Sequence, residues 1–575
     1  MTKYFTEREL QRNSLLKDGD YKSIKDMLCR INALIPQARV LAELDENKNI
    51  VYITAAELFE EVNALADGMI ATGLEGKHIA IIADNSCRYV ITDIAVASGT
   101  GVVTPVDKDA PDALTAKLLN TCDADAVFCS ASLVEKIEKI KGEVPSLKTV
   151  ITIDKKVEGC KFYDELLEEG RRKKNKGAWL AKPVDSNALS KILFTSGTTG
   201  PNKGVMLSDA NLTANMINCL DMIRIEKGVV NTSMSVLPMH HATEINTHIM
   251  ARIGCGRLTY INESMKKMME NIKIFKPHVI TIVPMIANMF YRQIWAGAKR
   301  SGMDAKLKKG IRLAALAKKF GFDITHKLFD KVFEPFGGNL CQIVCGGSML
   351  NPTVVKGMSD LGIYIVNGYG ITECGPLVSM NAETYKEWKS VGYAAPGLEV
   401  RIDKPDSDGV GELCVRGKSV SLGYYKDPES TAKVFDKDGF FHTGDSARMD
   451  SSGRLFLSGR KKNVIVLSNG KNVCPEEVEN AVENELDYVN DVVVYPASLG
   501  NQSVICAGIW IKDDEIRKDC NRVVEDLRRV NDQLPDYKRI EFVQFADHEY
   551  EKTSTRKIKR DKLPSECDLK KGMTV

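Results

Sequence analysis

The sequence predicts an α/β protein: a large N-terminal part of helix-covered, mostly parallel sheets with a β-rich subdomain, then a small α+β unit. Three observations point there. Over the first four-fifths, apolar runs of strand length alternate with helical periodicity, the pattern of parallel sheets covered by helices. After Gly409–Gly411 the texture changes to short strands and turns. Past Lys462 a compact stretch combines β-like runs with one amphipathic segment. At about 150 residues per unit, 575 residues allow three or four units.

In chain order, His78–Ala83 reads as a strand, Cys87–Ser98 as a helix and Val102–Pro105 as the next strand. Ala126–Cys129 and Val150–Ile153 repeat the strand pattern, with a helix around Leu133–Ile140 between them. Ile192-Leu193-Phe194 is a short buried strand, and Ser208-Asp209 caps a helix with Leu212, Met216, Ile217 and Leu220 at helical spacing. Gln342–Cys345 and Ile363–Val366 are further apolar strands. Glu412–Val415, Ser421–Tyr425 and Gly453–Leu457 read as the short strands of the β-rich part. Asp491–Tyr495 and Val504–Ile511 are β-like, and Asp513–Val530 is an amphipathic helix. The boundary falls near Lys462, dividing residues 1–461 from 462–575.

Composition narrows the function. A net charge of +2 with balanced acids and bases argues against a nucleic-acid binder driven by bulk electrostatics. The 15 cysteines are scattered, odd in number and without a Cys-x-x-Cys pair, a reduced intracellular pattern. Met1–Asp20 is mixed and polar, unlike a secretory leader. The most apolar span, Val279–Tyr291, is shorter than the roughly 20 residues that cross a bilayer. The expectation is a soluble, cytoplasmic protein with at most peripheral membrane contact. Methionines are frequent over Met222–Met289, as core filler or as lining of an adaptable apolar pocket.

The most informative stretch is Thr195-Ser196-Gly197-Thr198-Thr199-Gly200-Pro201-Asn202-Lys203-Gly204. A glycine loop between strand and helix lets backbone N–H groups converge on an anion, while hydroxyls and an ammonium add charge-assisted contacts. A polyphosphate is the natural guest. The spacing is not that of the common phosphate loop, because no Gly-Lys-Ser/Thr follows at the required distance.

The ordered string resembles the phosphate loop of the adenylate-forming superfamily of acyl-CoA synthetases, adenylation domains and luciferases. Further segments resemble that family in its order. Gly346-Gly347-Ser348 is similar to the turn against adenine, and Tyr369-Gly370-Ile371-Thr372-Glu373 to the aromatic-Gly-x-Thr-Glu signature. Asp445 lies in a Thr-Gly-Asp motif, Arg460 in a Gly-Arg-x-Lys hinge that ends at Lys462, and Lys557 in the C-terminal lysine motif. The resemblance implies that Tyr369 stacks on adenine, Thr372 contacts phosphate, Glu373 holds Mg²⁺, and Asp445 and Arg460 bind the ribose. It implies that Thr195, Ser196, Gly197, Thr198, Thr199 and Lys203 cradle the ATP phosphates, and that Lys557 bridges the carboxylate and the α-phosphate. The segment Leu237–Glu244 resembles the one beside the acyl pocket, which makes His241 a site residue. Residues 462–575 correspond to a mobile lid that turns at Lys462 and brings Ser468, Asn469 and Gly470 to the coenzyme A side. Two departures stand out. Arg556 occupies the place of the usual glycine before the lysine, and Glu551 that of a proline. If the chain at Arg556 is left-handed, that residue costs about 1 kcal/mol.

The implied reaction is ATP-dependent conversion of a carboxylic acid to an acyl-adenylate with release of pyrophosphate, then transfer to the thiol of coenzyme A. Leu237–Glu244 and the insertion-like stretch Ala296–Gly338 look closest to long-chain fatty-acid members, which implies a medium- or long-chain fatty acid. A separate acyl carrier protein is the alternative acceptor, and a non-catalytic acyl-adenylate or nucleotide binder is the alternative of another class.

Overall fold

A computed structural model describes all residues except 1–3, 7–19, 173, 196–201, 223, 227–230, 323, 348–349, 382–386, 388, 468–471, 501 and 553–557. Strands covered on both faces are apolar without alternation. Ala126–Cys129 and Val279–Ile282 are buried at every position, as helix-covered parallel strands must be. Among the described residues these runs build two large sheets. One has seven strands in the order Gly204–Ser208, Leu189–Phe194, Val102–Pro105, His78–Ile82, Ala126–Cys129, Thr149–Thr152 and Lys161–Phe162. All its pairs are parallel save the first, where Gly204–Ser208 turns back on Leu189–Phe194. The other has nine strands, with Tyr364–Gly370, Gln342–Cys345 and Val279–Ile282 adjacent and parallel at its centre.

The β-rich part is a four-stranded antiparallel sheet of Leu398–Asp403, Gly411–Gly417, Phe441–Met449 and Leu455–Arg460. Its strands alternate. Phe441, Thr443, Asp445 and Ala447 face inward while His442, Gly444 and Ser446 are more open. The last part of the chain forms another four-stranded sheet, Asp491–Leu499, Gln502–Trp510, Phe542–Phe545 and Gly572–Thr574. Among the described residues, its apolar clusters draw only on Ile465 and later residues, and the remaining clusters end at Leu457. Contacts between the two sides include polar ones: Arg292 Nη2 donates to the Glu483 carbonyl at 3.0 Å and Asn288 Nδ2 to its carboxylate at 3.4 Å.

Three elements depart most clearly from their sequence expectations, while the strand expected at Gly453–Leu457 is shifted to Leu455–Arg460 and the helix expected at Cys87–Ser98 is α-helical over Cys87–Ala95. The strand read as Ile363–Val366 runs on to Gly370, because Leu377–Asn381 pairs antiparallel with its second half. Tyr369 and Gly370 therefore lie within the strand rather than after it. Ser421–Tyr425 is not a strand. It follows the edge strand, with Met206 N donating to Gly423 O at 2.9 Å and Tyr425 N to Gly204 O at 2.8 Å, but Gly423 at φ +109 interrupts the extended run. The helix expected over Asp513–Val530 is two, Asp514–Lys518 and Cys520–Asn531. The Asp519 carboxylate accepts from Arg522 N at 3.2 Å and caps the second helix, ending the first.

The helices Ala55–Ala71 and Tyr163–Arg171 cross closely at glycines. A Cβ on Gly170 would lie 1.9 Å from the Ala64 carbonyl oxygen, and one on Gly68 the same distance from that of Leu166. Gly170→Ala is therefore expected to destabilise the protein by about 3 kcal/mol through forced separation of the helices. Gly297→Ala, in a helix with nothing within 4 Å of the added carbon, should stabilise it by up to about 1 kcal/mol. Urea denaturation of the two variants checks both signs.

Candidate active site

The inward alternation of Phe441–Met449 buries the carboxylate of Asp445, which is 7% exposed. A buried charge must be paired. Antiparallel register sets Arg460 opposite it, and Arg460 Nε lies 2.7 Å from Asp445 Oδ1. The second partner comes from the nine-stranded sheet: the Tyr369 hydroxyl donates to Asp445 Oδ2 at 2.6 Å. Burial first, and then this carboxylate, hold the Tyr369 hydroxyl protonated, with its pKa well above the usual tyrosine range. Thr443 fixes the turn before Asp445, accepting from the Asp445 N–H at 3.1 Å and donating to Leu413 O at 2.7 Å. Three sequence-predicted residues thus meet at one junction of two sheets.

A second junction forms at the turn Thr372–Cys374 itself. The Tyr424 hydroxyl donates to Glu373 Oε1 at 3.0 Å, and Ser421 N donates to the Glu373 carbonyl at 2.8 Å. Lys203 Nζ stands 4.6 Å from the centre of the same Tyr424 ring. Burial, and then Glu373, raise the Tyr424 pKa, so it remains a donor. Thr195 N donates to Lys203 O at 3.1 Å, which closes the base of the glycine loop beside the Lys203–Tyr424–Glu373 row. Strand pairing explains the row: residues 421–425 run along Gly204–Ser208 and carry Tyr424 between the loop and the Thr-Glu turn. Tyr424 carries no motif, and in the sequence it reads only as part of a short strand.

The remaining positions frame these two. Gly346 follows the strand Gln342–Cys345, and a Cβ there would lie 3.0 Å from Gly368 O, so the Gly346-Gly347 turn abuts the Tyr369 strand. Gly370 lets the chain double back, since a Cβ would lie 2.3 Å from Pro376 O. Lys462 sits exposed in the turn after Arg460. Asn85 pins the segment before the histidines, its Oδ1 accepting from Met239 N at 3.1 Å and its Nδ2 donating to Leu237 O at 3.0 Å. His241 packs against His240 with ring centres 4.1 Å apart and the rings tilted by 48°. The helical turns that follow, Thr243–Ile249, reach the Thr-Glu turn through Asn246, whose Nδ2 donates to Gly375 O at 3.4 Å. Asn246 also accepts from Lys191, which is buried in an ion pair with Asp93 at 2.7 Å. Neither link carries a sequence signal. Ser196, Gly197, Thr198, Thr199, Ser348, Ser468, Asn469, Gly470, Arg556 and Lys557 lie outside the described residues.

The comparisons with known proteins agree along the chain. Residues 36–425 match the family profile described as AMP-binding enzyme, and residues 462–567 match AMP-binding enzyme C-terminal domain. The long chain acyl-CoA synthetase 6, peroxisomal, of Arabidopsis thaliana is 29% identical over 512 residues, 82% of this chain and 72% of that protein. The long-chain-fatty-acid--CoA ligase 5 of Rattus norvegicus is 27% identical over 505 residues, 80% of this chain and 72% of that one. Among solved structures, ATP-bound MatB from Rhodopseudomonas palustris has a TM-score of 0.73 at 20% identity, covering 94% of this chain and 98% of its own. The A domain of carboxylic acid reductase from Segniliparus rugosus, in complex with AMP and a co-purified carboxylic acid, has a TM-score of 0.76 at 19% identity, covering 94% and 92%. At those identities the two structures speak for the fold.

Burial, and secondarily Lys108, push the His240 pKa from 6.5 down to about 4, with Asp107 Oδ2 3.8 Å from its Nε2. Between those values the unfolded chain takes up a proton that the folded protein refuses, so stability falls as the pH drops from 6.5 towards 4. The loss reaches about 3 kcal/mol at the acid end. Denaturation across this window should show His240→Asn losing less stability on acidification than the unmodified protein.

Proposed function

The chain belongs to the AMP-binding enzyme family, and from that premise we propose that it is an AMP-forming acid–thiol ligase acting on a medium- or long-chain fatty acid. ATP and the acid give an acyl-adenylate and pyrophosphate, and the acyl group then passes to the thiol of coenzyme A. The observation that carries this reading is the pair of junctions around Thr372-Glu373: the Tyr369–Asp445–Arg460 cluster and the Lys203–Tyr424–Glu373 row. The similarity to long-chain acyl-CoA synthetases over about four-fifths of the chain supports the fatty acid as substrate.

Attack of a carboxylate on a triphosphate brings two anions together, so charge neutralisation and alignment govern the barrier. The residues suit that task. Glu373 offers the hard oxygen donor that Mg²⁺ prefers, and Tyr424 orients it. Bound there, the metal supplies neutralisation of phosphate charge. We assign Lys203, with Thr195, Ser196, Gly197, Thr198 and Thr199, to the phosphates, and Gly346, Gly347, Ser348, Tyr369 and Gly370 to the adenine. Asp445 and Arg460 take the ribose. Thr372, His241 and Lys557 act at the reacting carboxylate and α-phosphate. Residues 1–461 and 462–575 are the two units, Lys462 their hinge, and Ser468, Asn469 and Gly470 the coenzyme A-side loop. Free cysteines throughout fit a reduced cytoplasm, and equally a peroxisome, the compartment named for one plant relative.

Pyrophosphate release across acids of graded length, with and without coenzyme A, tests the proposal. ATP- and Mg²⁺-dependent turnover that rises with chain length and with coenzyme A is expected. Release indifferent to coenzyme A would point to a carrier protein, and silence with every acid would contradict ligase activity. Tyr424→Phe keeps the ring over Lys203 but removes the donor to Glu373. It should cut kcat for pyrophosphate formation by about tenfold, the equivalent of one lost hydrogen bond to a charged group, with the larger deficit at low Mg²⁺. A steady-state Mg²⁺ titration of both proteins would reveal it.

A further inference from the structure

The helix Asp304–Lys319 and the turn after it form a surface that the candidate site does not use. From Lys299 to Lys331 the sequence has ten lysines and arginines against three aspartates and no glutamate, in a chain whose net charge is only +2. The helix covers one narrow side. Ala314 is buried, Leu307 and Ile311 pack on the apolar cluster beside the nine-stranded sheet, and Lys318 Nζ lies 5.2 Å from the Tyr364 ring centre. The other side is open and apolar at its centre. Leu313, Leu316 and Phe320 recur at spacings of three and four and are 52%, 53% and 73% exposed, and Phe322 just beyond is 68% exposed. Exposed Lys306 and Lys309 stand among them, and Lys308, Arg312 and Lys319 line one border.

Water does not reward exposure of so many large apolar side chains in so short a stretch, and a contiguous apolar patch marks a contact site. Protein–protein contacts are depleted in lysine, whereas this patch is dense in it. A lipid headgroup layer takes both components, Leu and Phe entering the acyl boundary while lysines and arginines meet the phosphates. We propose that the helix Asp304–Lys319, with Phe320 and Phe322, docks this protein on an anionic phospholipid surface, lying in its plane. The helix packs on Pro284–Arg300 and Pro352–Asp360, which flank the strands leading to Gly346 and Tyr369, so docking fixes the orientation of the whole site to the bilayer. The proposal concerns binding and stands apart from the identity of the acid.

Sedimentation of the full-length protein with vesicles tests it, using phosphatidylcholine alone and phosphatidylcholine with phosphatidylglycerol. The protein should pellet with the anionic vesicles and be released by high salt. Two sets of substitutions, Lys308→Glu with Lys309→Glu and Arg312→Glu, and Leu316→Ser with Phe320→Ser, should each weaken that binding by about tenfold or more. All five side chains are exposed, so thermal unfolding of both variants should match the unmodified protein. If one set disturbs folding, the other decides. No binding to anionic vesicles, or undiminished binding by a correctly folded variant, overturns the proposal.

Discussion

A carboxylate that is 7% exposed cannot stand alone, and the way Asp445 is paired fixes how two sheets meet. Its partners arrive from different layers, Tyr369 from the nine-stranded sheet and Arg460 from the neighbouring strand of the four-stranded one. Removing either leaves a buried carboxylate short of a partner, a loss of about 1–3 kcal/mol. That cost holds the β-rich part against the large sheet. It also sets Tyr369, Asp445 and the base of the segment leading to Lys462 in one place. The half-buried Glu373 accepts from Tyr424, which ties the Thr-Glu turn to residues 421–425.

The chain past Lys462 is attached differently. Its apolar clusters are its own among the described residues, and contacts across the seam include the polar pairing of Asn288 and Arg292 with Glu483. Burial raises the Glu483 pKa, while Arg292 opposes the shift. Polar contacts of this kind exchange readily with water, whereas shared apolar burial would not. The proposed turning of the lid about Lys462 is therefore compatible with an N-terminal part that keeps its own core.

Much of this was legible in the sequence because the large sheets are built from unbroken apolar runs, and such runs give themselves away. Val102–Pro105, Ala126–Cys129 and Gln342–Cys345 have the bounds expected. The structure departs from the sequence pattern where local signals compete with a partner distant in sequence. Tyr369 and Gly370 extend a strand because Leu377–Asn381 lies beside them, and Ser421–Tyr425 follows a neighbouring strand without becoming one. Motif order brought Asp445, Arg460 and Tyr369 to attention, but not their mutual contact, which depends on the register of two separate sheets. Tyr424 and Asn246 have no motif of their own, and only packing discloses them. The exposed helix Asp304–Lys319 was visible merely as an insertion, since its apolar residues could equally have faced a core.

The most direct test of the central claim, that these residues activate a carboxylate as its adenylate, follows one oxygen atom. A long-chain acid carrying heavy oxygen in its carboxylate is turned over with ATP and coenzyme A, and the products are analysed by mass spectrometry. Attack of the carboxylate on the α-phosphate leaves one labelled oxygen in AMP, and that is the predicted result. Label found in inorganic phosphate, with none in AMP, would mean that the acid is activated by another route and would contradict the account.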